Sequence, residues 1–431
     1  MSFIVVIIVG TLFLLLPFST KSGRISFVDA LFEATSSVCV TGLIVQDTPT
    51  YFTPFGHAVI LILFQLGGLG IMTFSTLVLL VAGRGISFKD RLLIQEGYYP
   101  GMMKDVKSLI KHIFIFAFAF EAAGALSLFL RWQKDFTWPK ALFHSIFHSV
   151  SAFCNAGFAL FSNSFESYRS DTWINMTFYF LIIFGGIGFL VLHEMIKLVS
   201  GILKKRKLKI SLHSKLVLTM TSTLILFSFG LFLLMEWNKS LKMFSLKGKI
   251  LSSLFQVITP RTAGFNTMNL NSLSFAAVFL LIFLMFIGAS PGSTGGGVKT
   301  STFGVIFAFL RSKLKAGDSV NLLYRTIPLE TTIKAFTVVT LASGVIFLSS
   351  FILMISHPWA AMKDVVFEVF SAFSTVGLSL GMTPKLSVMG KIVIVLTMYI
   401  GRIGPLTLLY AFSRQRPFGK YQYVEETVMI G

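Results

Sequence analysis

The residues best suited to chemistry lie in a glycine-rich stretch, GASPGSTGGGVKTS, at residues 288–301. Its glycines, hydroxyl side chains and Lys299 are the residue types with which a phosphate-binding loop holds a nucleotide. The pattern G-x-x-x-x-G-K-[ST] requires a glycine directly before the lysine, but here Val298 intervenes. A phosphate loop also follows a strand, whereas the apolar sequence at 274–288 predicts a helix. We therefore expect no nucleotide to bind here, and the glycines need another explanation.

Four other glycine-containing segments resemble one another, at nearly even spacing along the chain. They read SSVCVTGL (36–43), SAFCNAGF (151–158), ITPRTAGF (258–265) and SAFSTVGL (371–378). A phenylalanine followed by a polar or acidic residue precedes each one. These pairs are Phe32-Glu33, Phe147-His148, Phe255-Gln256 and Phe367-Glu368. Four copies in register indicate an internal repeat, which constrains the whole fold.

Each copy contributes three residues to a predicted cation-binding ring. A cation that loses its water inside a membrane needs replacement oxygens, which rings of backbone carbonyls supply in potassium filters. Glycine lets the backbone adopt the positive φ that such a turn requires, and none of the twelve residues is charged. The alternative is that the glycines only permit close helix packing, but four copies in register favour a selectivity filter. The predicted filter residues are Val40, Thr41, Gly42, Asn155, Ala156, Gly157, Thr262, Ala263, Gly264, Thr375, Val376 and Gly377.

The composition predicts that these segments lie in a membrane protein. Hydrophobic residues make up 54% of the 431 residues and charged residues 13%, against about 25% charged in soluble domains. Eight apolar stretches approach or exceed the roughly 20 residues that cross a bilayer as a helix. We expect no enzyme, because the sequence has no Ser/His/Asp or metal-hydrolase signature. The predicted spans are 3–18, 55–82, 109–130, 172–199, 216–236, 273–311 (interrupted), 333–355 and 388–412.

The fold class predicted from this pattern is an all-α integral membrane protein with one central pore. Segments such as 28–39 are too short to cross the membrane, so we expect them to enter it and return, which is tolerated only inside protein or beside water. Four pseudo-symmetric span–re-entrant helix–span repeats would then surround the pore. The predicted repeats are 1–83 (with Gly42), 84–200 (Gly157), 201–312 (Gly264) and 313–431 (Gly377). Later in each repeat comes GGLG (67–70), GGIG (185–188), the stretch beginning at Gly288, or GRIG (401–404).

The positive charge predicts the orientation of the chain. The formal net charge is +19, and the loops 83–107, 201–215 and 311–334 hold 5, 6 and 5 basic residues. The positive-inside rule places these loops and both termini in the cytoplasm. Topology alone explains this pattern, and docking of a cytoplasmic partner or of anionic membrane lipids is the alternative. Nucleic acid is not an expected partner.

The four turns, the interrupted sixth span and GRIGPLT in the last span resemble the Trk/Ktr/HKT superfamily of potassium and sodium translocating proteins. Over essentially the whole chain, the sequence looks most like the membrane subunits of the bacterial Ktr group. The resemblance implies potassium uptake across the bacterial plasma membrane by a homodimer with one pore per protomer. It also implies a separate cytoplasmic ring of RCK-type, nucleotide-binding regulatory subunits, so this chain itself would bind no nucleotide. Plant relatives with Ser at the position of Gly42 prefer sodium, so glycine here favours K⁺ at the filter, with Na⁺ open as a modulator.

The same resemblance makes the glycine-rich stretch an intramembrane gating loop below the filter. Its predicted gating residues are Gly288, Gly292, Gly295, Gly296, Gly297 and Lys299, and a static kink is the alternative. Arg402 lies within the last span, where an arginine costs several kcal/mol unless it finds partners. The resemblance implies a basic residue that faces the pathway and the loop. The alternative is a purely structural arginine that backbone carbonyls satisfy, and Pro405, which removes one intrahelical hydrogen bond, would help by loosening carbonyls.

Two other functions remain open from the residues alone. One is a sodium-preferring channel of the same fold. The other is a secondary cation transporter with alternating access, whose binding site would lie at the broken sixth span. The four repeats run in one orientation, which favours a channel.

Six further residues in or next to the short segments have simpler explanations than ion transport. Glu33 and Glu368 either attract cations or bond nearby backbone. His144 and His148 have metal-ligand spacing but no third ligand in the sequence. Cys39 and Cys154 are interpreted as packing residues.

Overall fold

The computed structural model describes residues 3–70, 106–205 and 210–404, and these are predominantly helical. The α-helices, numbered in chain order, are α1 Phe3–Leu14, α2 Phe27–Val38, α3 Thr48–Tyr51, α4 Pro54–Leu69, α5 Val106–Trp132, α6 Trp138–Phe153, α7 Thr172–Ile187, α8 Phe189–Leu203, α9 Leu212–Glu236, α10 Leu246–Ile258, α11 Phe275–Phe286, α12 Thr300–Leu314, α13 Leu329–Ser356, α14 Met362–Phe373 and α15 Val388–Ile403. The strands β1 Val320–Leu322 and β2 Arg325–Ile327 form an antiparallel hairpin.

Local sequence explains where many of these helices begin and end. Ser26, Asp171, Ser245 and Ser387 precede α2, α7, α10 and α15, and each side chain accepts a hydrogen bond from the backbone N–H three residues later. Such caps satisfy N–H groups that lack a partner within the helix. Three helices stop at a glycine with positive φ, where a side chain would be strained. These glycines are Gly70, Gly188 and Gly404.

Several helices are suited to a bilayer. Within the described residues, Ile110–Trp132, Leu212–Glu236 and Leu329–Ser356 are each long and apolar enough to cross one, and α7 with α8 passes the same test as a bent pair. Helices α1, α4 and α11 are apolar but shorter. Large apolar side chains such as Leu234, Phe279 and Phe347 are exposed on the outside. The fold is that of a membrane protein that crosses the bilayer several times.

The helices form four triplets that close into a ring. In each triplet a middle helix, called here the short helix, packs between the helices before and after it: α2 between α1 and α4, α6 between α5 and α7, α10 between α9 and α11, and α14 between α13 and α15. The last helix of each triplet also contacts the short helix of the next triplet. These contacts are α4 with α6, α7 with α10, α11 with α14, and α15 with α2. The final contact joins the end of the described chain to its beginning.

Glycine permits the closest of these packing contacts. In the last helix of three triplets, one glycine lies directly on the backbone of the preceding short helix, so that an added β-carbon would collide with a carbonyl oxygen. The pairs are Gly67 with Val38, Gly185 with Phe153, and Gly401 with Phe373. The first glycine of GGLG and GGIG, and the corresponding glycine before Arg402, therefore set how near the helices approach.

The structure corrects two features of the sequence interpretation. The predicted span 172–199 is two helices rather than one, because the chain bends by 108° between α7 and α8, at the end of GGIG, where Gly188 has a φ of 101°. The all-α description also misses the hairpin of β1 and β2. Its turn residues Leu323 and Tyr324 both have positive φ, as a tight two-residue hairpin requires.

Other predicted bounds are only partly described. Some of the predicted features lie outside the described residues. They are the C-terminal ends of the predicted spans 55–82 and 388–412, the repeat boundary at 83/84, Pro405 and most of the basic run 204–209. The other two predicted repeat boundaries, after residues 200 and 312, fall inside α8 and α12. The division into four sequence repeats stays a prediction.

We predict that Gly185→Ala destabilises the protein although alanine is the better helix former. The new β-carbon would collide with the Phe153 carbonyl group, whose carbon would be only 3.0 Å away, and overpacking typically costs about 1–3 kcal/mol. The control is Gly344→Ala in α13, where nothing lies within 4 Å of the added carbon and helix propensity favours alanine. Thermal unfolding in detergent should show a lower midpoint for Gly185→Ala only. Equal midpoints for the two variants would contradict the packing argument.

Candidate functional site

The four turns that follow the short helices meet at one point. A β-carbon built on Gly42 would lie 2.8 Å from Gly157 Cα, and one on Gly157 would lie 3.2 Å from Gly264 Cα. A β-carbon built on Gly264 would lie 3.3 Å from Gly377 Cα, and one built on Gly377 would lie 3.1 Å from Gly42 Cα. Each glycine thus touches the next, and the fourth touches the first. We call this arrangement the glycine ring.

Backbone oxygens occupy the junctions of the glycine ring. The β-carbon position of each glycine is contacted by the carbonyl oxygen of the residue that precedes the next glycine. These oxygens belong to Thr41, Ala156, Ala263 and Val376. The side chains of all eight non-glycine turn residues are fully buried. Backbone atoms, rather than side chains, therefore form the surface where the four turns meet.

The backbone of the turns alternates between positive and negative φ. The first and third residues of every turn have positive φ, and the first is never glycine: Val40 (57°), Asn155 (56°), Thr262 (70°) and Thr375 (52°). A residue with a β-carbon in this conformation costs roughly 1–3 kcal/mol and persists only where its surroundings enforce it. The same strain at four equivalent positions indicates that carbonyl orientation is fixed at the expense of local stability.

Hydrogen bonds enforce this conformation in the first turn. Val40 N donates to Ser37 O at 3.0 Å and Thr41 N to Ser36 O at 2.8 Å, which is the pair of bonds that closes a helix at a left-handed residue. The Ser36 hydroxyl also accepts from Gly42 N at 3.1 Å. The turn is therefore bonded from its first residue to its last.

Two other turns repeat these bonds and one departs. In the second turn Asn155 N donates to Ala152 O and Ala156 N to Ser151 O, and in the fourth Thr375 N donates to Ala372 O and Val376 N to Ser371 O. The Ser371 hydroxyl accepts from Gly377 N at 3.1 Å. The third turn instead bonds Ala263 N to Thr259 O at 2.9 Å.

The polar residues that follow phenylalanine in the short helices support the chain beyond the ring. Glu33 Oε1 accepts from Val45 N at 2.9 Å and from Gln46 N at 3.1 Å. His148 Nε2 accepts from Leu160 N at 3.0 Å. Glu368 accepts from the hydroxyls of Ser379 and Thr383. Both acids therefore bond nearby groups, as one of the two sequence interpretations holds, and His148 likewise bonds backbone.

A cavity of about 300 Å³ leads to the glycine ring and is lined by all four of its glycines. Of its described lining residues, Asp47 and Glu166 are the charged ones. Burial raises the pKa of Glu166, an effect that nearby Arg169 opposes. The cavity thus has carboxyl groups at its mouth although the chain carries a formal net charge of +19. A cleft lined by one sign of charge concentrates ions of the opposite sign.

The predicted gating loop lies against the ring between α11 and α12. A β-carbon on Gly295 would lie 3.0 Å from Thr262 Cβ, and one on Gly296 would lie 3.2 Å from Thr375 Cβ. Gly296 N also donates to Thr375 Oγ1 at 3.1 Å. The loop contacts the first residues of two turns, whereas the cavity is lined by their third residues. The ring therefore separates the loop from the cavity.

The other predicted loop residues hold the loop together or fix its ends. Gly288 lies against Gly296 and Gly297, and Gly292 O accepts from Phe189 N at 2.9 Å. Lys299 Nζ donates to Gly295 O at 2.8 Å. The lysine therefore bonds the loop's own backbone.

Arg402 joins the loop to the first triplet. Its guanidinium donates to Thr294 O in the loop and to Gly67 O near the end of α4. Both acceptors are backbone carbonyls distant in sequence, so the structural alternative of an arginine satisfied by carbonyls stays open. An arginine buried among helices needs such partners, and here one partner belongs to the loop.

The comparisons with known proteins agree with this geometry. Residues 1–423 match the protein family TrkH, described as cation transport protein. The chain belongs to this family. The resemblance drawn from the four turns is therefore confirmed at the level of the family.

Relatives within the family match almost the whole chain. Ktr system potassium uptake protein B of Bacillus subtilis is 40% identical over 96% of this chain and 91% of its own length, and the protein of the same name from Vibrio alginolyticus is 39% identical over 100% and 94%. Potassium/sodium uptake protein NtpJ of Enterococcus hirae is 36% identical over 100% and 95%. The crystal structure of the potassium transporter TrkH from Vibrio parahaemolyticus shares the fold, with a TM-score of 0.73 at 20% identity, over 96% of this chain and 85% of that one.

The structure brings the four predicted turns together, whereas sequence reasoning missed the groups that hold them. Ser36, Ser151 and Ser371 each lie six residues before a ring glycine, and this shared spacing was the available signal. Thr294, which binds Arg402 through its carbonyl and Phe153 O through its hydroxyl at 3.2 Å, had no such signal. Arg261 is buried, and within the described residues its side-chain nitrogens have no hydrogen-bond partner.

We predict that Glu33 acts through its hydrogen bonds rather than through a negative charge. Glu33→Gln keeps an accepting oxygen for Val45 N and Gln46 N and should retain near-normal ion uptake and thermal stability. Glu33→Ala leaves two buried N–H groups without a partner, each costing about 1–3 kcal/mol, and should lower the unfolding midpoint markedly. Loss of uptake in Glu33→Gln with an unchanged midpoint would instead show that the charge matters.

Proposed function

We propose that this chain is the pore-forming membrane subunit of a potassium uptake system. Potassium moves inward through the centre of the four triplets, and the backbone carbonyls of the four turns replace its hydration shell. The gradient of potassium and the membrane potential drive the movement, the latter contributing about 2.3 kcal/mol per charge per 100 mV. The family, cation transport protein, sets the class of function.

The glycine ring carries this proposal. Four turns from one chain converge, their side chains are buried, and their carbonyl oxygens lie where neighbouring turns meet. Carbonyl rings discriminate between cations by the number and spacing of oxygens. The cavity with Asp47 and Glu166 on one side of the ring would supply cations to it. The printed names of three relatives, which refer to potassium or potassium/sodium uptake, support potassium as the ion.

The loop at 288–299 is the proposed gate. It lies on the side of the ring opposite the cavity, so an ion that has passed the ring meets it next. Arg402 holds the loop through Thr294 O and brings a positive charge close to the proposed ion path. This charge would raise the barrier for a passing cation, and release of the loop would lower it.

We further propose the orientation and assembly. The basic loops and both termini lie in the cytoplasm, the cavity faces outward, and two copies associate as a homodimer with one pore each. The word "system" in the names of the Ktr relatives is consistent with separate regulatory subunits, which we place as a nucleotide-binding ring on the cytoplasmic side.

A sodium-permeable channel of the same fold is the second candidate. The Enterococcus hirae relative is named a potassium/sodium uptake protein, and this observation favours it. Alternating access is less well supported, because the short helices and their turns form a closed ring of contacts rather than two bodies that rock about a central site.

Uptake measurements test the proposed function. Expression of the chain with a regulatory subunit should restore growth of an uptake-deficient bacterium at low potassium. Gly42→Ser should reduce the preference for K⁺ over Na⁺ by about tenfold, equivalent to about 1.4 kcal/mol, because a side chain there would collide with Ala156 O and Gly157 Cα. Gly230→Ser is the control, since nothing lies within 4 Å of a β-carbon at that position.

Several results would reject these proposals. An unchanged K⁺/Na⁺ preference in a folded Gly42→Ser variant would reject the filter assignment. Growth rescue by sodium alone would favour the second candidate. Uptake that is obligatorily coupled to a second ion would favour a secondary transporter.

Arg402→Ala should increase potassium flux through the folded protein. Removing the guanidinium frees Thr294 O and removes a positive charge, and a coupling of this kind changes a rate or affinity by about fivefold or more. Arg402→Lys keeps the positive charge but lacks the planar guanidinium that reaches two carbonyls. Comparing the two variants therefore separates the effect of the charge from the effect of the bond to the loop. Rubidium uptake into vesicles provides the measurement. Unchanged flux in Arg402→Ala would refute the proposed role.

A further inference from the structure

A groove of about 820 Å³ runs down the outside of the protein between α5 and α7. Its walls are apolar and include Phe120, Met176, Phe180 and Phe184. The side chains of Trp173 and Phe180 are 55% and 59% exposed, so the groove opens outward rather than into the helix bundle. In a membrane protein this surface faces the hydrocarbon of the bilayer.

The groove has the length of a lipid chain. Its lining residues on α7 extend from Thr172 to Phe184, which at 1.5 Å per residue is about 18 Å. The hydrocarbon of one leaflet is about 15 Å thick, half of the roughly 30 Å core. Trp173 lies at the end near the cavity and donates from Nε1 to Ser127 O at 3.0 Å, bridging the two helices. This is the position in which tryptophan marks the membrane interface.

The mouth of the groove carries charged groups of both signs. Lys247 and Asp171 both line it, and Arg131 pairs with Asp171 at 2.7 Å and with Asp135 at 3.0 Å. Lys247 is exposed and belongs to the segment 239–249, which contains four lysines and no acidic residue. Lys249 in the same segment donates to Trp237 O at 3.1 Å. The segment lies outside the three basic loops, 83–107, 201–215 and 311–334, that the sequence analysis places in the cytoplasm.

We propose that the α5–α7 groove binds an anionic phospholipid. The phosphate lies at Lys247, beside the interfacial Trp173, and one acyl chain follows the groove past Met176 and Phe180 to Phe184. An anionic phospholipid is the partner that supplies both complementary parts at the observed separation: a negative group at the interface and an apolar chain one leaflet long. The inference does not depend on which ion the protein transports.

Lipid titration of the purified full-length chain tests this proposal. Native mass spectrometry measures the affinity for the first bound lipid, with phosphatidylglycerol and phosphatidylcholine that carry identical acyl chains. Phosphatidylglycerol should bind about fivefold more tightly, the effect of one lysine near a lipid phosphate. Lys247→Gln should remove this preference, and Ala123→Trp, which fills the groove, should weaken binding of both lipids.

Matched variants provide the controls. Lys242→Gln alters another exposed lysine of the same segment, and Ala122→Trp adds the same bulk to an exposed neighbour that does not line the groove; both should bind lipid as the unmodified chain does. All variants should share one unfolding midpoint. Equal binding of the two lipids, or an unchanged preference in Lys247→Gln, would overturn the proposal. Conversion of a dimer to a monomer by Ala123→Trp, with lipid binding unchanged, would assign the groove to a second copy and also overturn it.

Discussion

The constraint on which the rest of the structure depends is the close approach of four backbones at one point. Each ring glycine lies against the carbonyl of the neighbouring turn, so that a β-carbon at any of the four positions would meet backbone. Backbone cannot move aside as a flexible side chain can. These turns are brought together by the short helices and by the longer-range packing of the helices on either side of them. The contact between α15 and α2 closes the arrangement.

The energetic cost of the arrangement is met locally. Non-glycine residues with positive φ begin all four turns. In at least three turns, backbone hydrogen bonds that close the preceding helix hold this residue in place, and its side chain is buried. Buried acids and a histidine then fix the chain that leaves the ring. Rigid carbonyls suit ion selection because an ordered set of oxygens need not reorganise when the ion sheds its water.

Below the ring, the third triplet lacks a continuous last helix and has a loop instead. The glycines there allow the loop to reach Thr262 and Thr375, and Arg402 from the fourth triplet reaches the loop through Thr294 O. Hydrogen bonds to Gly185, Gly186 and Thr375 also hold this loop, so it is tied to the second and fourth triplets directly beneath the ring.

The sequence by itself determined the membrane class, the four turns, the broken sixth span and the family, because these depend on composition, on short motifs and on their repetition. It also predicted that Val40–Gly42 and its three counterparts meet, since repeats of one chain are expected to share an axis, and in the structure these turns are in contact. The partners of Arg402 and Glu33 were decided only by the tertiary structure. Gly67 and Thr294 are 335 and 108 residues away from Arg402, and no local pattern encodes such a separation. The angle of the bend at Gly188, 108°, was likewise decided only there, because GGIG indicates a break in the helix but not the direction in which the backbone then travels.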